Sequence, residues 1–321
     1  MSLLAALDLG SNSVKLLLLE ARPDGTLAFL AEPSRVTRLA GGVAATGRLE
    51  EAAMAETLEA IAGFLRLLPA GRGGRGVAVA TSAVRDAVNG GEFLERVRRR
   101  LGPAAAPPRL LTGEEEAQTV FAGATDGLRP ELPILCIDIG GGSTELAAGG
   151  AREGCAFSRS LPLGCVRQGE RFGLLGPGGA APAAVRAAEA AIEELLRPVA
   201  GELRGRFGRC QVLATGGTAA VLGRVVLGLS DYDRARLHGL RVGAERIREL
   251  AATLLPLDHA ARCAVPGLPA DRAAVLPAGL LALGAALALL AAESAMVSLQ
   301  GLRHGLAVRL RRGELAPTWE W

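Results

Sequence analysis

The chain of 321 residues is half hydrophobic but only 3% aromatic, so its core must be packed by Ala, Leu and Val, and the length suffices for about two domains. Its 36 basic and 33 acidic residues leave a net charge of +3, too little to mark a general nucleic-acid binder, and no DNA partner is expected. The five cysteines, Cys136, Cys155, Cys165, Cys210 and Cys263, have neither paired nor metal-ligand spacing, and they read as buried thiols of a reducing, cytoplasmic compartment.

In chain order, the first element is an apolar run leading into Leu7-Asp8-Leu9-Gly10-Ser11-Asn12-Ser13-Val14-Lys15-Leu16, which predicts strand, tight turn, strand. It has no basic lead and Asp8 interrupts it, so it is not read as a signal peptide. Met54 to Leu68 carries Leu58, Ile61, Phe64, Leu65 and Leu68 at helical spacing. Val77 to Ala80 reads as a short buried strand, Thr81-Ser82 as a helix cap, Glu92 to Leu101 as a basic helix and Arg109 to Leu111 as a strand. Thr112-Gly113-Glu114-Glu115 is a capping-box pattern that opens a helix through Ala124. Gly127 to Pro133 is the best linker. Beyond it come a second hairpin, Ile137-Asp138-Ile139-Gly140-Gly141-Gly142-Ser143-Thr144-Glu145-Leu146, a loop at Gly176 to Pro182, a long helix around Val185 to Leu203 and a strand at Val212 to Ala214. That strand ends in Thr215-Gly216-Gly217-Thr218 before another helix. Ala273 to Ala292 is free of charged and polar side chains and reaches the length of a membrane span. It is mostly alanine, contains Pro277, Gly279 and Gly284 and lacks an aromatic belt, so a buried helix is expected and no membrane partner.

The two hairpins repeat one design at a constant offset of 130 from Asp8 and Asp138 through Ser13 and Ser143. Glycine permits positive φ and close approach of a ligand to the main chain, so successive N–H groups of Gly140, Gly141 and Gly142 can point at one anion. Ser11, Asn12, Ser13, Ser143 and Thr144 add side-chain donors. A carboxylate beside a phosphate is repulsive unless a cation lies between them, and oxygen ligands shared with phosphate suit Mg²⁺, with Mn²⁺ or a monovalent cation as further candidates. A helix N-terminus behind Gly216 and Gly217, flanked by Thr218, is by geometry a phosphate or nucleotide site, although a Gly-Gly turn before a helix is also an ordinary tight connection. Lys15 is the sole lysine, and the many arginines, although they read first as coding bias, supply bidentate partners for oxyanions.

Ala6 to Leu18, Ala80-Thr81-Ser82-Ala83-Val84-Arg85-Asp86, Leu111 to Ala117, Cys136 to Leu146, Leu163-Gly164-Cys165-Val166-Arg167, Leu213 to Thr218 and Leu302-Arg303-His304-Gly305 together resemble the successive motifs of the exopolyphosphatase and guanosine pentaphosphate phosphatase family, in order and over almost the whole chain. The resemblance implies an α/β fold of the actin, sugar-kinase and heat-shock ATPase type, with two related domains and the phosphates in an interdomain cleft. The domains are expected at 1–125 and 126–321, the last helix being able to pack back on the first. The length is similar to that of the short, two-domain members.

The resemblance also implies roles. Glu116 matches the glutamate that activates the attacking water; a place in a helix's first turn favours the ionised carboxylate a base requires, whereas Glu114 and Glu115 read as capping charge. Asp138 and Glu145 match the metal-binding pair, with Asp8 assisting from the opposite side. Arg85 matches the arginine on the substrate phosphate, a role that suits a guanidinium fork. The cluster Arg96, Arg98, Arg99 and Arg100 stays outside the site as helix-terminal charge. His238, His259 and His304 have no ligand spacing, and His304 stands where many relatives carry an acidic residue. The expected activity is Mg²⁺-dependent removal of the terminal phosphoryl group of inorganic polyphosphate, by a chain that can form a homodimer. Guanosine pentaphosphate is the alternative substrate. A kinase of the same superfold and a non-catalytic alarmone sensor are the other readings, the sensor being disfavoured because binding alone needs no base.

Overall fold

The computed structural model describes residues 2–128, 131–150 and 153–321. It divides into two compact units, Met1–Gly123 with Leu302–Trp321, and Ala124–Gly301. The boundary expected at residue 125 therefore lies at Gly123, and the last twenty residues leave the second unit for the first. The cause is packing: the C-terminal helix lies against the first strand of the chain, and the terminal strand pairs in its sheet. Of the linker expected at Gly127 to Pro133, Arg129 and Pro130 lie outside the described residues.

The first unit begins with β1 (Ser2–Leu9), β2 (Ser13–Ala21), β3 (Leu27–Ala31) and β4 (Ser34–Val36). It continues with α1 (Val43–Thr46), α2 (Glu51–Leu65), β5 (Gly74–Ala80), α3 (Ser82–Asp86), α4 (Gly90–Leu101), β6 (Arg109–Leu110) and α5 (Gly113–Ala124). The second unit holds β7 (Ile134–Ile139), β8 (Thr144–Gly150), β9 (Gly154–Leu161), α6 (Cys165–Arg171), α7 (Pro182–Phe207), β10 (Gln211–Thr215), α8 (Gly216–Leu227) and α9 (Arg234–Leu237). It is completed by β11 (Arg241–Gly243), α10 (Ala244–Leu254), α11 (His259–Cys263), α12 (Leu276–Leu289) and β12 (Ser294–Val297), after which the chain returns to the first unit as α13 (Leu302–Arg311) and β13 (Trp319–Glu320).

Each unit is built on one mixed sheet. In the first the order is β13-β5-β1-β2-β3, with β4 also on β2 and β6 also on β5; in the second it is β11-β12-β10-β7-β8-β9. The duplication visible in the sequence extends to pairing. β1 pairs antiparallel with β2 and parallel with β5, and β7 does the same with β8 and β10. Asp8 faces Lys15 and Asp138 faces Glu145, so the offset of 130 holds for the register as well.

Strand alternation decides which face each residue serves. Ala5, Leu7 and Leu9, with Val14, Leu16 and Leu18 opposite them, enter the core under α2 and α4. Asp8 and Lys15 consequently share the other face. In the second unit Leu135, Ile137, Ile139, Leu146 and Ala148 fill the core, which leaves Asp138 and Glu145 on the reverse. The apolar run at Ala273 to Ala292 contributes α12, almost wholly buried between α7 and α10. Each of its buried leucines contributes about 1.5–3 kcal/mol by leaving water. Among the described residues no helix is long and apolar enough to cross a membrane.

The five cysteines are free thiols, but only Cys136 and Cys165 are buried; Cys155, Cys210 and Cys263 are half-buried because β9, the start of β10 and α11 lie near the surface. Burial pushes the Cys136 thiol well above its ordinary value.

Candidate active site

In the first unit the turn between β1 and β2 is locked by its own carbonyls. Asn12 O accepts from the N–H groups of Thr37 and Arg38, and Ser11 O accepts from that of Ala40. The Ser11 and Ser82 hydroxyls lie 2.9 Å apart, which ties the turn to the start of α3. Neither hairpin turn uses a positive φ, contrary to the expectation for its glycines. Their role is close approach: a Cβ on Gly10 would sit 2.9 Å from the Ser13 carbonyl oxygen, and one on Gly140 would lie 3.3 Å from that of Ser143.

Asp8 is buried and its Oδ1 has no hydrogen-bond partner, while Oδ2 lies 4.0 Å from Lys15 Nζ. Burial raises its pKa, and the charges of Lys15 and Arg303 pull it part of the way back. Arg303, at the start of α13, donates to the Leu16 carbonyl at 2.9 Å.

Further along, β5 runs through Thr81 into α3, whose last turn carries Arg85. Its guanidinium donates to the Leu111 carbonyl at 2.7 Å and stands 3.8 Å from Glu116 Oε2. The capping box forms as its sequence pattern indicates. Glu115 Oε2 accepts from Thr112 N–H at 2.8 Å and Thr112 Oγ1 accepts from Glu115 N–H at 3.1 Å. With Glu115 occupied by the cap, Glu116 in the same first turn is buried, at 8% exposure, against Arg85. A helix N-terminus favours negative charge at that place.

In the second unit Asp138 and Glu145 stand directly opposite on β7 and β8. Ser160 Oγ donates to Glu145 Oε1 at 2.7 Å, so two carboxylates and a hydroxyl place oxygen atoms on this part of the sheet. The donor set thus fits an oxygen-seeking cation. No group of three or more His, Cys, Asp or Glu is brought together among the described residues. Mg²⁺ needs no such cage, since it is commonly bound by one or two carboxylates and completes its shell with water and phosphate oxygens.

The carbonyls of the second turn are held from behind. Gly140 O accepts from Cys165 N–H, Gly141 O from Val166 and Arg167 N–H, and Gly142 O from Arg167 Nε at 2.8 Å. This fixes the 140–144 backbone, in which the Gly140 N–H itself donates to the Ser143 carbonyl at 3.0 Å. Thr144 Oγ1 turns inward to the Leu163 carbonyl at 2.7 Å, so its hydroxyl serves the turn itself. Thr218 behaves likewise, donating to Ile139 O at 3.0 Å.

The third turn lies against Asp138. Thr215 is the β10 partner of Asp138, Gly216 has φ +80°, and a Cβ on Gly216 would overlap Asp138 Oδ1. Only glycine satisfies both the left-handed backbone and that approach. Thr215 Oγ1 is buried with no hydrogen-bond partner at the N-cap of α8. The second unit therefore gathers Asp138, Glu145, Gly216 and Gly217, and the first gathers Asp8, Ser11, Arg85 and Glu116.

Comparison with known proteins identifies the family of the chain. The Ppx/GppA phosphatase family matches residues 19–313. Exopolyphosphatase 2 of Mycobacterium tuberculosis is 32% identical over 281 residues, 86% of each chain. The chain belongs to the Ppx/GppA phosphatase family. It is accordingly a hydrolase of phosphoanhydrides. The crystal structure of the Aquifex aeolicus Ppx/GppA member superposes with a TM-score of 0.77 at 28% identity, covering 98% of both chains. An exopolyphosphatase from Cytophaga hutchinsonii, at 21% identity, shares the fold with a TM-score of 0.84 over 97% of this chain and 98% of that one. The fold is α/β, with one mixed sheet in each of two units, and is shared with these Ppx/GppA structures.

Two arginines beside the Ppx/GppA turns were not singled out from the sequence. Arg38 follows the first turn with φ +48°, a conformation rare for a residue with a side chain, and is exposed there. Arg272 brings its guanidinium to 3.4 Å from where a Gly217 side chain would begin. In a chain so rich in arginine neither position is marked by composition; both are selected only by folding.

Proposed function

We propose that this chain is an exopolyphosphatase that uses Mg²⁺ to release orthophosphate from the end of inorganic polyphosphate. The observation that carries the reading is Glu116, a buried carboxylate in the first turn of α5, excused from capping by Glu115 and set 3.8 Å from Arg85. A helix cap alone explains Glu115 but not a second carboxylate turned inward beside a guanidinium. In the reaction the water oxygen bonds to the terminal phosphorus, the bridging oxygen departs with the bonding pair, and Glu116 takes the proton of the attacking water. The Arg85 fork receives charge developing on the transferred group, and the 10–13, 140–144 and 216–218 backbones bind phosphoryl oxygens. Asp138 and Glu145 would hold Mg²⁺, which when bound offsets phosphate charge; Asp8, already beside Lys15, plays the lesser part.

Polyphosphate is favoured over guanosine pentaphosphate by the exopolyphosphatase relative and by the abundance of arginine, which suits a polyanion. Short or intermediate chains are the expected optimum, with weaker pentaphosphate hydrolysis. Orthophosphate release from polyphosphate, measured with Mg²⁺ and with chelator and in equal-concentration competition with guanosine pentaphosphate, tests both points. Equal rates in chelator would remove the metal, and preferential loss of the nucleotide would reverse the substrate order. Added salt should depress the polyphosphate activity steeply, because several arginine contacts are screened together.

A further inference from the structure

The C-terminal helix α13 meets α5, the helix that bears Glu116, at a point where backbone touches backbone. A Cβ built on Gly305 would overlap the Thr119 carbonyl oxygen and lie 3.1 Å from Gly123 N, so no side chain can stand between the two helices there. One turn further along α13, Arg309 Nη1 donates to Thr119 Oγ1 at 2.7 Å. The fully buried Thr119 hydroxyl in turn donates a hydrogen bond to the Glu115 carbonyl at 2.6 Å. That carbonyl belongs to the peptide joining Glu115 to Glu116. The chain of contacts therefore ends on the peptide group that carries the catalytic carboxylate. At its other end α13 is fastened to the first hairpin through Arg303 and Leu16 O.

We propose that α13 is a positioning element, in which Gly305 and Arg309 act through Thr119 to fix where α5 holds Glu116 relative to Arg85. The inference rests on the reading of Glu116 as the base. Gly305→Ala must push the helices apart by roughly 1 Å, and a misplacement of that size costs on the order of 10²-fold in rate. Thr119→Val keeps the shape and severs the hydrogen-bonded path, and Thr119→Ser restores it.

The test is a cycle of kcat and KM on polyphosphate for Thr119→Val, Thr119→Ser and Gly305→Ala, each alone and in a Glu116→Gln background. Expected is a fall in kcat of about 10-fold for Thr119→Val, with KM within about 2-fold and recovery in Thr119→Ser. In the Glu116→Gln background the Thr119 and Gly305 changes should have no further effect, because the group they position is already disabled. Independent, multiplicative losses in that background would overturn the proposal, as would a folded Thr119→Val with normal kcat. If Gly305→Ala fails to fold, the Thr119 pair still decides. A fully active Glu116→Gln would instead sink the base reading itself, and so the two failures are told apart.

Discussion

The β1–β2 hairpin and the β7–β8 hairpin carry the same aspartate in the same register, yet opposite it stand Lys15 in one and Glu145 in the other. In the first, the only lysine of the chain and the nearby Arg303 already answer Asp8. In the second, two carboxylates stand opposite each other across the ladder, a pair of oxygen donors of the type Mg²⁺ takes. Duplication has thus preserved geometry while charge diverged. On the proposed reading the first unit supplies the base Glu116 as well as the Lys15 charge beside Asp8, and the second supplies the oxygen donors for a metal.

The largest expected effect falls on the base. Glu116→Gln keeps size but cannot take a proton, so kcat on polyphosphate should fall by roughly 10²-fold or more with KM little changed. Near-normal turnover would leave the first unit without its assigned chemistry. The contrast between hairpins is attacked directly by Glu145→Lys, which rebuilds the pairing of the first hairpin in the second. Rate measured against free Mg²⁺ should lose its dependence on the metal and drop by about 10²-fold. Retained Mg²⁺ activation would show that the two hairpins do not divide the labour in this way.

A smaller effect is expected in the reverse direction. Lys15→Met leaves Asp8 with Arg303 alone, and thermal or denaturant unfolding should show a loss of about 1–2 kcal/mol, at the low end for a buried pair because the Lys15 side chain is 21% exposed. No loss would mean that Arg303 suffices. The smallest effect is a pH dependence. Because burial raises the folded-state pKa of Asp8 above its unfolded value, the acid form contributes stability at low pH, and that contribution disappears as pH rises through the folded pKa. Asp8→Asn should therefore gain in Tm relative to wild type between about pH 4 and neutrality. A difference independent of pH would show that Lys15 and Arg303 fully offset the burial.

Much of this was determined by the sequence alone, because it depends on local order. The twin turns, the capping box at Thr112, the helix at Glu116 and the buried character of Ala273 to Ala292 follow from residue spacing and from short-range hydrogen bonding that a linear pattern records. Arg85 and Glu116 entered through the family resemblance, being separated by 31 residues of ordinary composition. Tertiary structure decided what long-range packing controls. The return of the last helix to the first unit was anticipated through the family resemblance, but its point of contact was not, since Gly305 is a glycine like forty-two others until its backbone meets that of Thr119. The opposition of Asp8 to Lys15 and of Asp138 to Glu145 was latent in the spacing, but its meaning appears only when strand pairing sets each pair on one face. Gly216 shows the same division: the motif marked a turn, and only the parallel pairing of β10 with β7 brought it against Asp138.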